Sequence, residues 1–427
     1  MVSRERSMLT VYLNQAESTG TCVNRRDGEA GQGRLVRKGM AKGGGAVALV
    51  VVALLLTVVS PQAAVHAQAQ AILSIPVGLA PRGIALDPAN GDLYVADFGS
   101  NATSVLDPST EAVVATVSTG TYPVGVAYDP ASGDVFVADW GSNSTSVING
   151  STNEVVATVP AGTGPWGVAY DPANGYVYVA DAGSDTLTVI SGSTDSVVGR
   201  VVVGSAPFDI TYDSLNEELF VSNYGSNTTS VVANGTTVRS ISGFSAPAGV
   251  AFDASDGEVY VANIGTGQVS AIDGETYMIV ANVSVGAPTY GLAVDPANDL
   301  VYVAAHTSLG TVSVVDFSLK TVVAAASVGV GPWGVAYDPA DGNIYTTIGN
   351  DNRVSVVSTA EGQSSSTSST STTGSMSRPS TLTSSSASTS GGGIPEFPSQ
   401  PALALAIAVL VAAAYPIARR RATSKKA

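Results

Sequence analysis

Cysteine is almost missing from this chain: there is one, Cys22, in 427 residues. It precedes the first long apolar stretch, so a mature chain that begins beyond that stretch has no thiol, no disulfide and no cysteine-liganded metal. Charge is scarce, at 12% of residues, and histidine occurs only as His66 and His306. Helix formers are sparse outside two apolar stretches near the ends. No Ser-His-Asp order, no P-loop and no GxGxxG opening a helix can be found. These shortages argue against the common hydrolase, nucleotide and metal chemistries. Stability has to come from packing alone.

The few charges are unevenly placed. Eight of the 19 Lys and Arg precede residue 43 and five follow residue 418. Between Gln68 and Gln400 six basic residues face 30 acidic ones, a net charge of −24. Such a surface repels phosphate backbones, so nucleic acid is excluded as a partner.

Both ends point to a membrane. Lys38 and Lys42 precede AVALVVVALLLTVV, a 14-residue apolar run from Ala46 to Val59. Ser60, Pro61 and the small residues Val65 and Ala67 follow, so residues 1–67 read as a secretory leader cleaved after Ala67. Translation from Met40 would set MAKGGG directly before the apolar core. Residues 359–400 are a Ser/Thr-rich stalk ending in IPEFP, a composition that cannot bury a core. The 18 apolar residues 401–418 suffice to span a bilayer, and the basic tail 419–427 would hold that end inside. A tail removed by processing is the alternative.

What the middle has in abundance is repetition. An aspartate closes the phrase GVAYD or its variant at Asp87, Asp129, Asp171, Asp213, Asp253, Asp295 and Asp338, with spacings of 42, 42, 42, 40, 42 and 43. Seven residues after each comes an aromatic: Tyr94, Phe136, Tyr178, Phe220, Tyr260, Tyr302 and Tyr345. Each unit reads as four short strands. Turns such as DPANG join the first two, with Pro fixing one φ and Gly taking φ > 0. Four antiparallel strands every 40–45 residues are the pattern of a propeller blade. The fold expected for residues 68–358 is therefore all-β, a seven-bladed β-propeller of four-stranded blades. The seventh copy lacks its last strand. AILSIPVG, from Ala71, matches that strand in type, so an N-terminal strand is expected to complete the last blade and close the ring.

YVADFGSNATSVLDPSTEAVVATV, from Tyr94, resembles the YVTN-type β-propeller repeat over about residues 70–358. IPEFP before the apolar tail resembles the anchoring tails of archaeal surface proteins. The resemblance implies a surface-layer or envelope protein. Redox and streptogramin-lyase propellers are more distant relatives, and a shared scaffold does not transmit a shared task.

Candidate site residues follow from blade geometry. The loop entering the first strand and the loop between the second and third lie on one face. The first holds Arg82, Val124, Trp166, Phe208, Ala248, Thr289 and Trp333; the second offers Phe98, Trp140, Tyr224 and His306. Arg82, Trp140, Trp166, Phe208, Tyr224, His306 and Trp333 are thus expected around the central opening, beside Asp97, Asp139 and Asp181. Aromatics and carboxylates around a concavity suit sugars, peptides or cations; the competing reading has the aromatics sealing grooves between blades. His306 alone is a poor metal or haem site, and DPANGD lacks the density of a calcium loop, so neither metal nor cofactor is expected. Sequons at Asn101, Asn143, Asn149, Asn227, Asn234 and Asn282 are glycosylation candidates.

These features together suggest a membrane-anchored, extracellular propeller that binds or assembles with envelope proteins or glycans. An extracellular redox or lyase-like enzyme with a group in the channel is the alternative, and a lattice or spacer protein a third. Mass spectrometry of the protein from its own membranes is expected to find Gln68 as the first residue; a chain that retains residues 1–67 overturns the leader.

Overall fold

The computed structural model describes residues 69–359. The expected leader, stalk, apolar tail and basic end lie outside the described residues. Within them are 28 strands in seven four-stranded antiparallel sheets, arranged as a seven-bladed propeller.

The first blade runs outward from the centre as β2 (Pro81–Leu86), β3 (Leu93–Asp97), β4 (Ala102–Asp107) and β5 (Ala112–Ser118), and the same meander recurs five times up to Ser327. The last sheet takes Pro332–Asp338, Asn343–Ile348 and Arg353–Thr359 from the C-terminal side. Its fourth, outermost strand is β1 (Ala69–Pro76), which pairs antiparallel with Arg353–Thr359, Ile75 lying opposite Val354.

The sheets hold because each is covered on both faces. In β3 every residue is buried, where a one-sided sheet would alternate. Tyr94 and Ala96 pack toward blade two, against Val135, Val137 and Ile148. Leu93 and Val95 point the other way, into a cluster with Tyr345, Val354 and Ile75 of the last sheet. The pattern repeats until every gap between neighbouring blades holds one apolar cluster. The seven aromatics at fixed distance from the aspartates are the largest of these fillers, each at most 2% exposed. Only the outer strands alternate, as β5 shows, because their far edge meets water.

The repeated aspartates are turn residues. Oδ1 accepts the amide two residues on in every copy, from Ala89 N at 2.8 Å to Ala297 N at 3.0 Å. Between Asp87 and β3, Gly91 sits at φ 83°, a conformation without a steric cost only for glycine. On this same side the Tyr94 hydroxyl bridges to the next blade, donating to Asn153 Oδ1 at 2.8 Å.

Nearer the axis, neighbouring inner strands approach too closely for a side chain. A Cβ on Gly125 would lie 2.1 Å from the Trp166 carbonyl oxygen, and one on Gly249 2.2 Å from that of Tyr290. Gly83, Gly167, Gly291 and Gly334 occupy the same position in their blades and meet the next inner strand in the same way. Blade four breaks the series with Asp209.

Gly249→Ala is expected to destabilise the propeller by about 1–3 kcal/mol or more through forced overpacking. Gly199→Ala, in an outer strand where a Cβ would meet nothing within 4 Å, should stay within about 0.5 kcal/mol. Urea denaturation of the two variants side by side checks this.

Candidate functional site

A β-bulge opens each inner strand. In blade one Pro81 faces Asp97 but Ile84 faces Val95, so one extra residue is accommodated at Arg82–Gly83. Bulges re-aim side chains, and here the residue after the proline position is turned onto the face that carries the loops between second and third strands.

That face holds three aromatic groups. Phe98 stacks on Tyr122 with centroids 4.8 Å apart, and Trp140 lies 6.3 Å and 6.1 Å from the two. Trp166 meets Phe208 at 4.8 Å, and Tyr224 follows at 6.3 Å from Phe208. Tyr290 stacks on His306 at 4.1 Å and meets Trp333 at 4.4 Å. Arg82 joins the first group to the third, its guanidinium carbon 3.6 Å from the Trp333 ring centroid and 5.2 Å from that of Phe98. All of these aromatics are half-buried except Tyr122, which is 43% exposed; Arg82 is 5% exposed. They line the loops between blades and still present one edge or face outward.

Tyr290 and Tyr122 are absent from the expected set. Thr289, expected after the proline, instead occupies the proline position itself, buried and opposite Ala305. One extra residue between Pro288 and Asp295 moves the register, so Tyr290 is the true counterpart of Arg82 and Trp333. Tyr122 precedes its proline with φ 55°, which swings its ring over Phe98.

The carboxylates do not join the aromatics. Asp97, Asp139 and Asp181 are 0% exposed and turned into the sheet, where Oδ2 accepts a hydroxyl from Ser104 at 2.6 Å, Ser146 at 2.7 Å and Thr188 at 2.7 Å. A Cβ on Gly78, Gly120 or Gly162 would lie 2.5 Å from the respective carboxyl carbon. Each aspartate is therefore packed beneath the loop that enters its blade. Asn223 and Asn263 do the same in blades four and five, donating to Ser230 and Ser270. Burial pushes Asp97 and Asp139 up to about 6 and raises Asp181 as well. Arg200 lies 3.5 Å from Asp181.

His306 is a packing residue of the third group. Its Nε2 is 2.6 Å from the Pro332 carbonyl oxygen, an acceptor only, so Nε2 carries the hydrogen and donates it. Burial pushes the imidazole down to about 4, leaving it neutral at physiological pH. Among the described residues no three His, Cys, Asp or Glu gather as a metal-binding group.

Arg82 has no such settlement. Its Nε and Nη1 are buried without a hydrogen-bond partner, and so is Trp333 Nε1 beside it. Burial pushes the guanidinium down to about 10, which still leaves it charged at neutral pH.

The sequons have structural duties. Asn101, Asn143 and Asn227 sit at φ 53°, 54° and 58°, and their Oδ1 atoms accept the amides of Tyr122, Gly164 and Ala246 in the following loop. Asn149 caps its own turn, with Oδ1 accepting the amides of Ser151 and Thr152. Asn282 accepts the Ser270 hydroxyl at 2.6 Å, and Asn234 is an exposed left-handed turn residue. A third missed residue is Asp209, signalled by PFD where five of the other six blades read P-x-G. It reaches the next blade, accepting the Val250 amide at 3.1 Å, and burial pushes it up to about 6.

No family model matches the chain, and no curated protein matches it. Among solved structures, Kuenenia stuttgartiensis hydrazine synthase is similar, with a TM-score of 0.60 and 20% identity over 66% of this chain and 96% of that one. At that identity the likeness defines the class alone: a β-propeller.

The buried aspartates predict a pH dependence. Their native forms keep protons to higher pH than the unfolded chain does, so their contribution to stability is full below 3.8 and falls as pH rises to about 6. The Asp97→Asn, Asp139→Asn double variant copies blades four and five. It should be as stable as wild type below pH 4 and more stable above pH 6, by roughly 1–3 kcal/mol per site. Thermal unfolding from pH 3.5 to 7.5 reads the difference.

Proposed function

We propose that this protein is a membrane-anchored, extracellular propeller of the YVTN-repeat kind that binds cell-envelope proteins or glycans. In this reading the chain between a cleaved leader and a C-terminal apolar anchor stands outside the cell on its stalk, with β1 latching the ring. The observation that carries the binding role is the gathering of aromatics at one mouth. Phe98, Tyr122, Trp140, Trp166, Phe208, Tyr224, Tyr290 and Trp333 come from six blades and two kinds of loop, yet meet in three contiguous groups. The opposite face carries aspartate turns instead.

All three tryptophans of the chain belong to this mouth, so their fluorescence reports on it. Envelope fragments from the producing cells are expected to shift the emission of the purified protein saturably. Trp140→Ala and Tyr122→Ala should each weaken that binding by about tenfold, the loss of one well-placed aromatic contact. Unchanged emission, with no co-sedimentation of protein and envelope, would refute the role.

A further inference from the structure

The described residues contain five Lys or Arg, and four of them have acidic company. Arg200 lies 3.5 Å from Asp181 and Arg353 3.2 Å from Asp351. Arg239 interacts with Glu218, and Lys320 with Glu258. Arg82 is the most buried of the five and has no carboxylate within 4 Å. Its neighbours are ring faces. A guanidinium withdrawn from water without an anion is costly, and cation–π contact with Trp333 offsets part of that cost only. Nη1 is without a partner, and with Nη2 it forms the end-on fork of the planar guanidinium, a shape that matches the two oxygens of a carboxylate.

We propose that Arg82 is the anchor for the carboxylate of an acidic sugar, whose ring lies against Phe98, Tyr122 and Trp140. The proposal rests on the envelope-binding reading and names its ligand class. The distances suit it: Phe98 is 5.2 Å from the guanidinium carbon, and Tyr122, the most exposed ring of the set, stacks on Phe98. Pyranose rings carry C–H faces that aromatic faces accept, which gives the three rings a task that a bare anion would leave undone. A single carboxylate is also the anion that this surface tolerates best. Around a propeller carrying 28 acidic residues against five basic ones, a polyanion is repelled at every approach.

The test is a titration of the full-length protein with glucuronate, glucose and acetate, followed by tryptophan fluorescence and calorimetry, for wild type, Arg82→Gln and Tyr122→Ala. Glucuronate should bind saturably and about tenfold or more tighter than glucose, the worth of a charged hydrogen-bonded pair. Arg82→Gln should erase that preference while the melting temperature holds or rises, because a buried unpaired charge is removed. A merely structural Arg82 would instead lower it. Tyr122→Ala should weaken glucuronate and leave acetate unchanged. Equal affinity for glucuronate and glucose, or a preference that survives Arg82→Gln, overturns the carboxylate site. Acetate binding as tightly as glucuronate overturns the sugar. Envelope fragments that bind while glucuronate does not leave the envelope role standing and sink this proposal; the reverse result sinks the envelope role and keeps the site.

Discussion

Everything in this molecule depends on sheet faces pressed against sheet faces around a ring. No blade could persist alone, because a four-stranded sheet apolar on both sides has nowhere to hide either side. The arrangement resolves this without cysteine or helix among the described residues. Each blade offers one face, with an aromatic such as Tyr94, to the next blade, and the other, with residues such as Leu93 and Val95, to the previous one. The contact between the first and last sheets is built from the same residue types as the others, and Ile75 of β1 takes part in it. Cohesion is thereby shared equally, and a single weak interface would open the whole ring.

That constraint explains why so much of the repeat is invariant from copy to copy and where it is free. Positions inside the gaps, the aspartate turn and the inner-strand glycines all answer to the distance between neighbouring blades. The residue after the proline answers to nothing of the kind. It sits at the bulge, where the seven blades read Arg82, Val124, Trp166, Phe208, Ala248, Tyr290 and Trp333, the first, second and fifth of them buried and the rest half-buried. Variation confined to one face of an otherwise repetitive scaffold is what a binding surface requires: a rigid frame beneath and individual chemistry above.

Blade count, strand count and the turn role of Asp87 and its counterparts were legible in the sequence, since each is a local pattern copied seven times. The last aromatic pair was less so. Counting from Pro288 lands on Thr289, and the pairing of Thr289 with Ala305 reveals that in blade six the proline stands one residue ahead of the inner strand rather than at its start. Asp97, Asp139 and Asp181, expected beside the aromatics, are instead buried in hydrogen bonds within the sheet. The clue was present in Asn223 and Asn263, for a position that accepts either carboxylate or amide beside a serine is a hydrogen-bonding position in the sheet. Tyr122 could not be found by period at all, because its reach depends on a left-handed backbone that five of the other blades give to alanine or glycine.

Arg82 shows the limit most clearly, because what distinguishes it is the lack of a neighbour. A sequence this acidic would lead one to expect a carboxylate near every cation, and four of the five described cations have one. The exception arises from the same packing that shapes the rest. Asp97, the acid nearest to Arg82 in the strand pairing, sits opposite Pro81, but its side chain is committed to Ser104 and to the space beneath Gly78. The carboxylate is spent on holding the loop, while the bulge at Arg82 and Gly83 sets the guanidinium, buried, among rings. Two requirements of the blade, a filled loop base and a bulged inner strand, thus separate a charge pair that the bare sequence would have joined. The cation left over lies at the one face of the propeller where the blades differ.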